Sequence, residues 1–231
     1  MPLRSLWIFV TDLGDSAVTL PLAALILAFL LVLRQWRAAG AWIAMVVGCA
    51  MLIGGLKLVF GACGQLMPAS GIASPSGHTA MSVAIYLSFA LLLGRAAPPR
   101  LAAPIFAAAM VLIVAIGVSR IVLHAHDAVE VAIGFVVGLL AHAGFRILLS
   151  ARGAPALPVL PMAVAALALV AALHGTRWKV EPRIHFVAAW LRLALPWCSE
   201  SGRRAAFAAE PRWSIRQTSG TCRAKGQRPA S

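Results

Sequence analysis

Two histidines, a serine, an arginine and a lysine stand at the edges of long apolar stretches in this chain. Pro75-Ser76-Gly77-His78 opens one stretch, Ser119-Arg120 closes another, His126 and Glu130 open the next, and Lys57 lies near the end of an earlier one. Ionisable residues at membrane depth are costly and, by default, functional. Together these are the groups a protein needs to hold a phosphate and displace its leaving group, so the sequence points to phosphate-ester chemistry in a bilayer.

Each group has a plainer reading beside the chemical one. Ser76, Gly77 and His78 start an apolar helix, whose first N–H groups and positive dipole end favour an anion. On these three residues alone an ordinary N-cap by Ser76 is the simpler account. His78 tips the balance, because a titratable ring beside an anion site is a ready general acid. Glu130 follows His126 by four residues, so both side chains share a helix face. The carboxylate then fixes the ring tautomer and leaves the other nitrogen as a nucleophile; the alternative is a buried pair that merely neutralises itself. His124 competes with His126 for this role, and Asp127 reads most simply as stabilising a helix start.

The elements that must position these groups are membrane helices. Of 231 residues, 61% are apolar and 12% charged, with a mean hydropathy of +0.89. That excludes a soluble domain, for which roughly 45–50% apolar is usual. Stretches of about 20 apolar residues span a bilayer, and six are found: 16 to 34, 41 to 62, 77 to 94, 101 to 120, 127 to 149 and 156 to 174. Their lengths suit helices rather than barrel strands. The expected fold is therefore all-α, a polytopic bundle of about six transmembrane helices. No cleaved leader is expected, because the first long run follows Asp12 and Asp15 without a basic lead-in; residues 5 to 10 are expected at the interface.

Basic residues in short connections set the orientation. Arg34 and Arg37, Arg95 and Arg100, and Arg146 and Arg152 mark three loops as cytoplasmic. The connections 63 to 76 and 121 to 126, which border every motif, then face outward, as do both termini. Residues 1–174 are read as a membrane-embedded domain with its motif core at about 40–150, and 175–231 as a basic tail. From Gly175 the tail carries eleven Lys or Arg against Glu181, Glu200 and Glu210, a net of +8 that leaves +5 for the rest. Within it, 184–195 is expected to form a short amphipathic helix on the bilayer, anchored by Trp190 and Trp197, with disorder beyond Cys198. Attraction to anionic lipid is a simpler role for the tail than nucleic-acid binding, and no specific protein partner is implied.

Other polar and small residues carry less. Cys49 reads as a small apolar residue, a Cys63–Cys198 or Cys198–Cys222 bridge is a hypothesis for an oxidising compartment, and no cysteine pair has metal-ligand spacing. His142 and His174 are expected to make ordinary polar contacts, and Gly48, Gly134, Gly138 and Gly144 to allow close helix packing.

The motifs resemble those of the type 2 phosphatidic acid phosphatase family, which shares its catalytic core with vanadium haloperoxidases. The family pattern is Lys with Arg-Pro six residues later, then Pro-Ser-Gly-His, then Ser-Arg, five residues, His, three residues and Asp. Pro75, Ser76, Gly77 and His78 match the second part, and Ser119, Arg120 and His126 the third, with Glu130 in the Asp position. The five-residue gap selects His126 over His124. Lys57 matches the first part, but Gly64-Gln65 stands where Arg-Pro is expected, which removes a bidentate phosphate clamp.

The resemblance implies metal-independent phosphoryl transfer without a cofactor: His126 as nucleophile, Glu130 as its orienter, His78 as general acid, and Lys57, Ser76, Gly77 and Arg120 as phosphate-binding residues. A membrane lipid phosphate or diphosphate is the expected substrate, because an outward-facing site flush with the bilayer is reached most easily from the membrane itself, and the Ala- and Arg-rich composition fits a bacterial inner membrane. Two alternatives stand beside hydrolysis: a member disabled at Gly64 that binds or transports lipid phosphates, and phosphotransfer to an acceptor other than water.

Overall fold

The structure, a computed structural model, describes residues 2–63, 74–150, 157–178 and 186–191. Every regular element among them is a helix: α1 (Pro2–Asp12), α2 (Ser16–Val32), α3 (Trp36–Cys63), α4 (Gly77–Ala96), α5 (Pro99–Val122), α6 (Ala128–Ser150) and α7 (Val159–Leu173). The six expected spans correspond to α2 through α7. Five apolar stretches are long enough to cross a bilayer, the first running through Leu3–Val32, and α7 is a shorter apolar helix of 15 residues. At 1.5 Å per residue α7 reaches about 22 Å, short of a hydrocarbon core of about 30 Å. The chain is a multi-pass membrane protein.

The outer faces are apolar, as lipid contact requires: Ile43, Val47 and Met51 on α3 and Val136, Leu140 and Ile147 on α6 are all exposed. Polar groups turn inward instead. α4 is the central helix, its apolar stretch 72% buried against 17% for α5, and it carries buried Thr79, Ser82 and Ser88. It packs against α2, α3, α5 and α6. Ser88 Oγ meets His142 Nδ1 at 3.0 Å, the bundle contact expected of that histidine. Trp42, fully buried, ties three helices together by donating from Nε1 to the Ala23 carbonyl at 3.0 Å and meeting Phe145 edge-on at 5.7 Å.

The glycines divide into two kinds. A Cβ on Gly134 would stand 2.4 Å from the Ser76 carbonyl oxygen, and one on Gly138 would stand 2.5 Å from Val83 Cβ, so α6 closes on α4 only because both lack side chains. Gly48 and Gly144 meet nothing within 4 Å, contrary to the expectation of close packing. They line an apolar groove between α3 and α6 instead.

Two helix ends on opposite sides of the bundle share one closure. His124, at φ 52°, follows α5 in the left-handed conformation; its amide donates to the Ile121 carbonyl at 2.9 Å, and the Ala125 amide to the Arg120 carbonyl at 2.9 Å. Arg34, at φ 57°, ends α2 with the same pair of bonds, to Leu31 and Leu30. This is the Schellman arrangement, which satisfies the last carbonyls of a helix and reverses the chain.

Residues 5 to 10 lie in α1, and none of them is buried. α1 packs against α5, its Thr11 and Asp12 are buried, and Tyr86 of α4 donates to the Leu13 carbonyl at 2.6 Å. After α7 the chain returns to the same end of the bundle, where Arg177 pairs with Asp12 at 2.8 Å and the Trp178 amide donates to Asp15 Oδ1 at 3.2 Å. Of the helix expected over 184–195, residues 186–191 are helical, with Ala188 buried against Gly61 of α3 and Phe186, Val187 and Trp190 exposed. Gly64, Gln65, Cys198, Cys222 and the tail beyond lie outside the described residues.

Candidate active site

The N-terminus of α4 forms the floor of the site. Ser76 takes the capping role: its Oγ accepts from the Thr79 amide at 3.4 Å and from Thr79 Oγ1 at 3.0 Å, and the residue is fully buried. The amides of Gly77 and His78 lie in the first turn of the helix, which has no intrahelical acceptors for them. Lys57, buried, reaches across from α3. A Cβ on Gly77 would stand 3.3 Å from Lys57 Cε and 3.9 Å from Nζ, so the missing side chain makes room for the ammonium group over this turn.

The second arm is built from the α5–α6 turn. The Arg120 carbonyl accepts from both the Ala125 amide, at 2.9 Å, and the His126 amide, at 3.2 Å. These two hydrogen bonds close the turn between Arg120 and His126. His126 Nδ1 then lies 2.7 Å from Glu130 Oε2, with both side chains almost fully buried. His124 is exposed on the turn in the left-handed backbone conformation, and it is His126 that stands beside Glu130. Asp127 precedes α6, and its amide donates to Glu130 Oε2 at 3.4 Å, so the side chain that serves this helix start is that of Glu130.

Glu130 joins the two arms. Its Oε1 accepts from the Ser74 amide at 2.6 Å, and its backbone carbonyl accepts from the Ser76 amide at 3.1 Å. Arg120 is held from the far side by Thr11 Oγ1, to which its NH1 donates at 3.1 Å. Lys57 and Arg120 are both close enough to act electrostatically on the His78 ring. The structure thus gathers Lys57, Ser76, Gly77, His78, Arg120, His126 and Glu130 at one end of the bundle. Ser119 is buried and donates to the Ile116 carbonyl at 2.6 Å, a helix-backbone contact.

Sequence reasoning passed over several neighbours of the site. Asp15 Oδ2 lies 3.4 Å from His78 Nε2, and Trp178 joins Lys57, Gly77 and His78 in lining a cavity of about 200 Å³. The rest of that lining is largely apolar, with Leu20 from α2, Ile53 from α3 and Met81 from α4. The available signal was the placement of Asp12 and Asp15 at the edge of the first apolar stretch, at the end where the motifs gather.

The structure is that of a polytopic membrane helix bundle with Lys57, His78, Arg120 and His126 gathered at one end. The chain belongs to the PAP2 superfamily: the family model matches residues 62–154. It is similar to an uncharacterized 22.5 kDa protein in the cps region of Klebsiella pneumoniae, 30% identical over 143 residues that cover 62% of this chain and 68% of the relative. No solved structure gives a significant match. Membership supports a phosphatase-type activity in general.

Proposed function

We propose that the protein is a metal-independent membrane phosphatase that hydrolyses a lipid phosphate or diphosphate through a phosphohistidine. The observation that carries this reading is the His126–Glu130 pair at 2.7 Å, bonded through Glu130 to the anion-binding turn on which His78 stands. With Nδ1 donating to Glu130, Nε2 of His126 is the nucleophile. It attacks phosphorus as His78 passes a proton to the departing oxygen, and a water activated by the same His78 then releases phosphate. Lys57, Arg120, Ser76 and the amides of Gly77 and His78 hold the equatorial oxygens, where transition-state charge gathers.

A lipid substrate is favoured by the cavity, whose polar end holds Lys57 and His78 and whose walls are apolar side chains of membrane helices. The inner-membrane reading, with the site facing outward, rests on the arginines: Arg95 and Arg146 share a groove formed by the far ends of α4 and α6, where cytoplasmic basic residues belong. The test is phosphate release by the detergent-purified protein, with chelator present, from phosphatidic acid, phosphatidylglycerophosphate and undecaprenyl diphosphate. Turnover that is lost in His126→Ala and kept in His124→Ala supports the reading. Folded wild-type protein that releases phosphate from none of them overturns it, in favour of a protein that binds lipid phosphates.

A further inference from the structure

We infer that Asp15 is a positioning residue for His78, aligning and charge-balancing the ring that protonates the leaving group; the inference rests on the phosphatase reading above. Asp15 lies outside the segment matched by the family model, in the turn between α1 and α2. It is buried, and its two carboxylate oxygens have separate partners. Oδ1 accepts from the Ala17 amide at 2.8 Å, capping α2, and from the Trp178 amide at 3.2 Å. Oδ2 is turned the other way and stands 3.4 Å from His78 Nε2. Capping accounts for the bonds at Oδ1, and the contact of Oδ2 with His78 comes in addition to it.

The need for an anion here is electrostatic. His78 is faced by Lys57 from α3 and by Arg120 from α5, both acting on its ring. The remaining carboxylate of the site, Glu130 on α6, is engaged with His126 and the Ser74 amide. A histidine that must carry a proton between two cations therefore draws its opposing charge from Asp15. Lengthening of such contacts is common before substrate is bound. Two fixed amide donors hold the carboxylate so that the ring meets it through Nε2 and presents Nδ1 to the substrate. In the first half-reaction the phosphorus–oxygen bond to the leaving group breaks as the His126 Nε2–phosphorus bond forms, and the proton on His78 moves to the departing oxygen. Asp15 exchanges no proton in this step.

The test compares two phosphate monoesters that carry the same alkyl chain. One has an alkoxide leaving group, which must be protonated; the other has a nitrophenolate, which leaves without a proton. kcat/KM reports the step in which the leaving group departs. In Asp15→Asn, which keeps a capping side chain, kcat/KM for the alkyl ester is expected to fall at least about tenfold, as loss of part of a general-acid contribution requires. The nitrophenyl ester should change by less than about threefold, and Asp15→Ser should behave alike. In a His78→Ala background, Asp15→Asn should cost almost nothing further, because its effect runs through that ring. Equal losses on both esters, or an undiminished loss without His78, would assign Asp15 a purely structural role and overturn the inference. Wild-type protein inactive on both esters would instead overturn the phosphatase reading, and the role of Asp15 with it.

Discussion

Glu130 Oε2 lies 2.7 Å from His126 Nδ1, and the other oxygen of that carboxylate holds the Ser74 amide at 2.6 Å. One side chain therefore orients the proposed nucleophile and ties it to the segment leading into the anion-binding turn. Replacement by Gln keeps an acceptor for Ser74 but no longer holds a proton on His126 Nδ1 by charge. Glu130→Gln is expected to lower kcat on the order of 10²–10⁴-fold with little change in KM. Initial rates across substrate concentration, with thermal unfolding of the same sample, check this; an unchanged kcat would deny Glu130 its orienting role.

The turn carrying His124 offers a contrasting substitution. Glycine accepts a φ of 52° without the strain that a histidine meets there. His124→Gly should retain full activity and leave stability unchanged or raised by up to about 1 kcal/mol, whereas His126→Ala should abolish turnover. Denaturation midpoints and phosphate release on the same two proteins decide the matter.

Helix packing makes a third expectation. A methyl group on Gly134 or Gly138 meets backbone or Cβ atoms at 2.4–2.6 Å, contacts that only a shift of α6 can relieve. Gly134→Ala and Gly138→Ala are each expected to destabilise by about 1–3 kcal/mol. Gly48→Ala and Gly144→Ala, which meet open space, should stay within about 0.5 kcal/mol of wild type. Thermal unfolding in one detergent separates the pairs, and similar losses at all four would refute the distinction.

Arg177 pairs with buried Asp12 through both Nε, at 2.8 Å, and NH2, at 3.2 Å, yet its own side chain is 55% exposed. Asp12 holds the guanidinium yet more firmly in its charged form. Solvent screening limits the value of such a pair to about 1 kcal/mol at most. Arg177→Ala should cost no more than that, and the difference from wild type should shrink between low and high salt. A larger, salt-independent loss would show that the segment after α7 is held chiefly by packing.

Much of this architecture was legible in the sequence, because lipid imposes one pattern on the chain. Helices α2 through α7 fall within a few residues of the apolar stretches, except that α3 begins at Trp36, five residues before the expected Ala41. Glu130 and His126 were readable as a pair because a four-residue helical spacing is local. The role of Asp15 was not, since a cap on α2 and a contact to His78 leave the same mark in sequence, an acid before an apolar run. Gly48 and Gly134 look alike on paper; only the neighbouring helix distinguishes a groove from a contact.

The bonds that Glu130 makes to the Ser74 and Ser76 amides join the two arms of the site, and the Arg120 carbonyl closes the second arm through the Ala125 and His126 amides. In hydrogen exchange, the amides of Ser76, Ala125 and His126 should therefore lose protection together, at one common opening free energy. Local breathing of the bundle would then switch the reaction off as a unit rather than release a half-assembled nucleophile into contact with water.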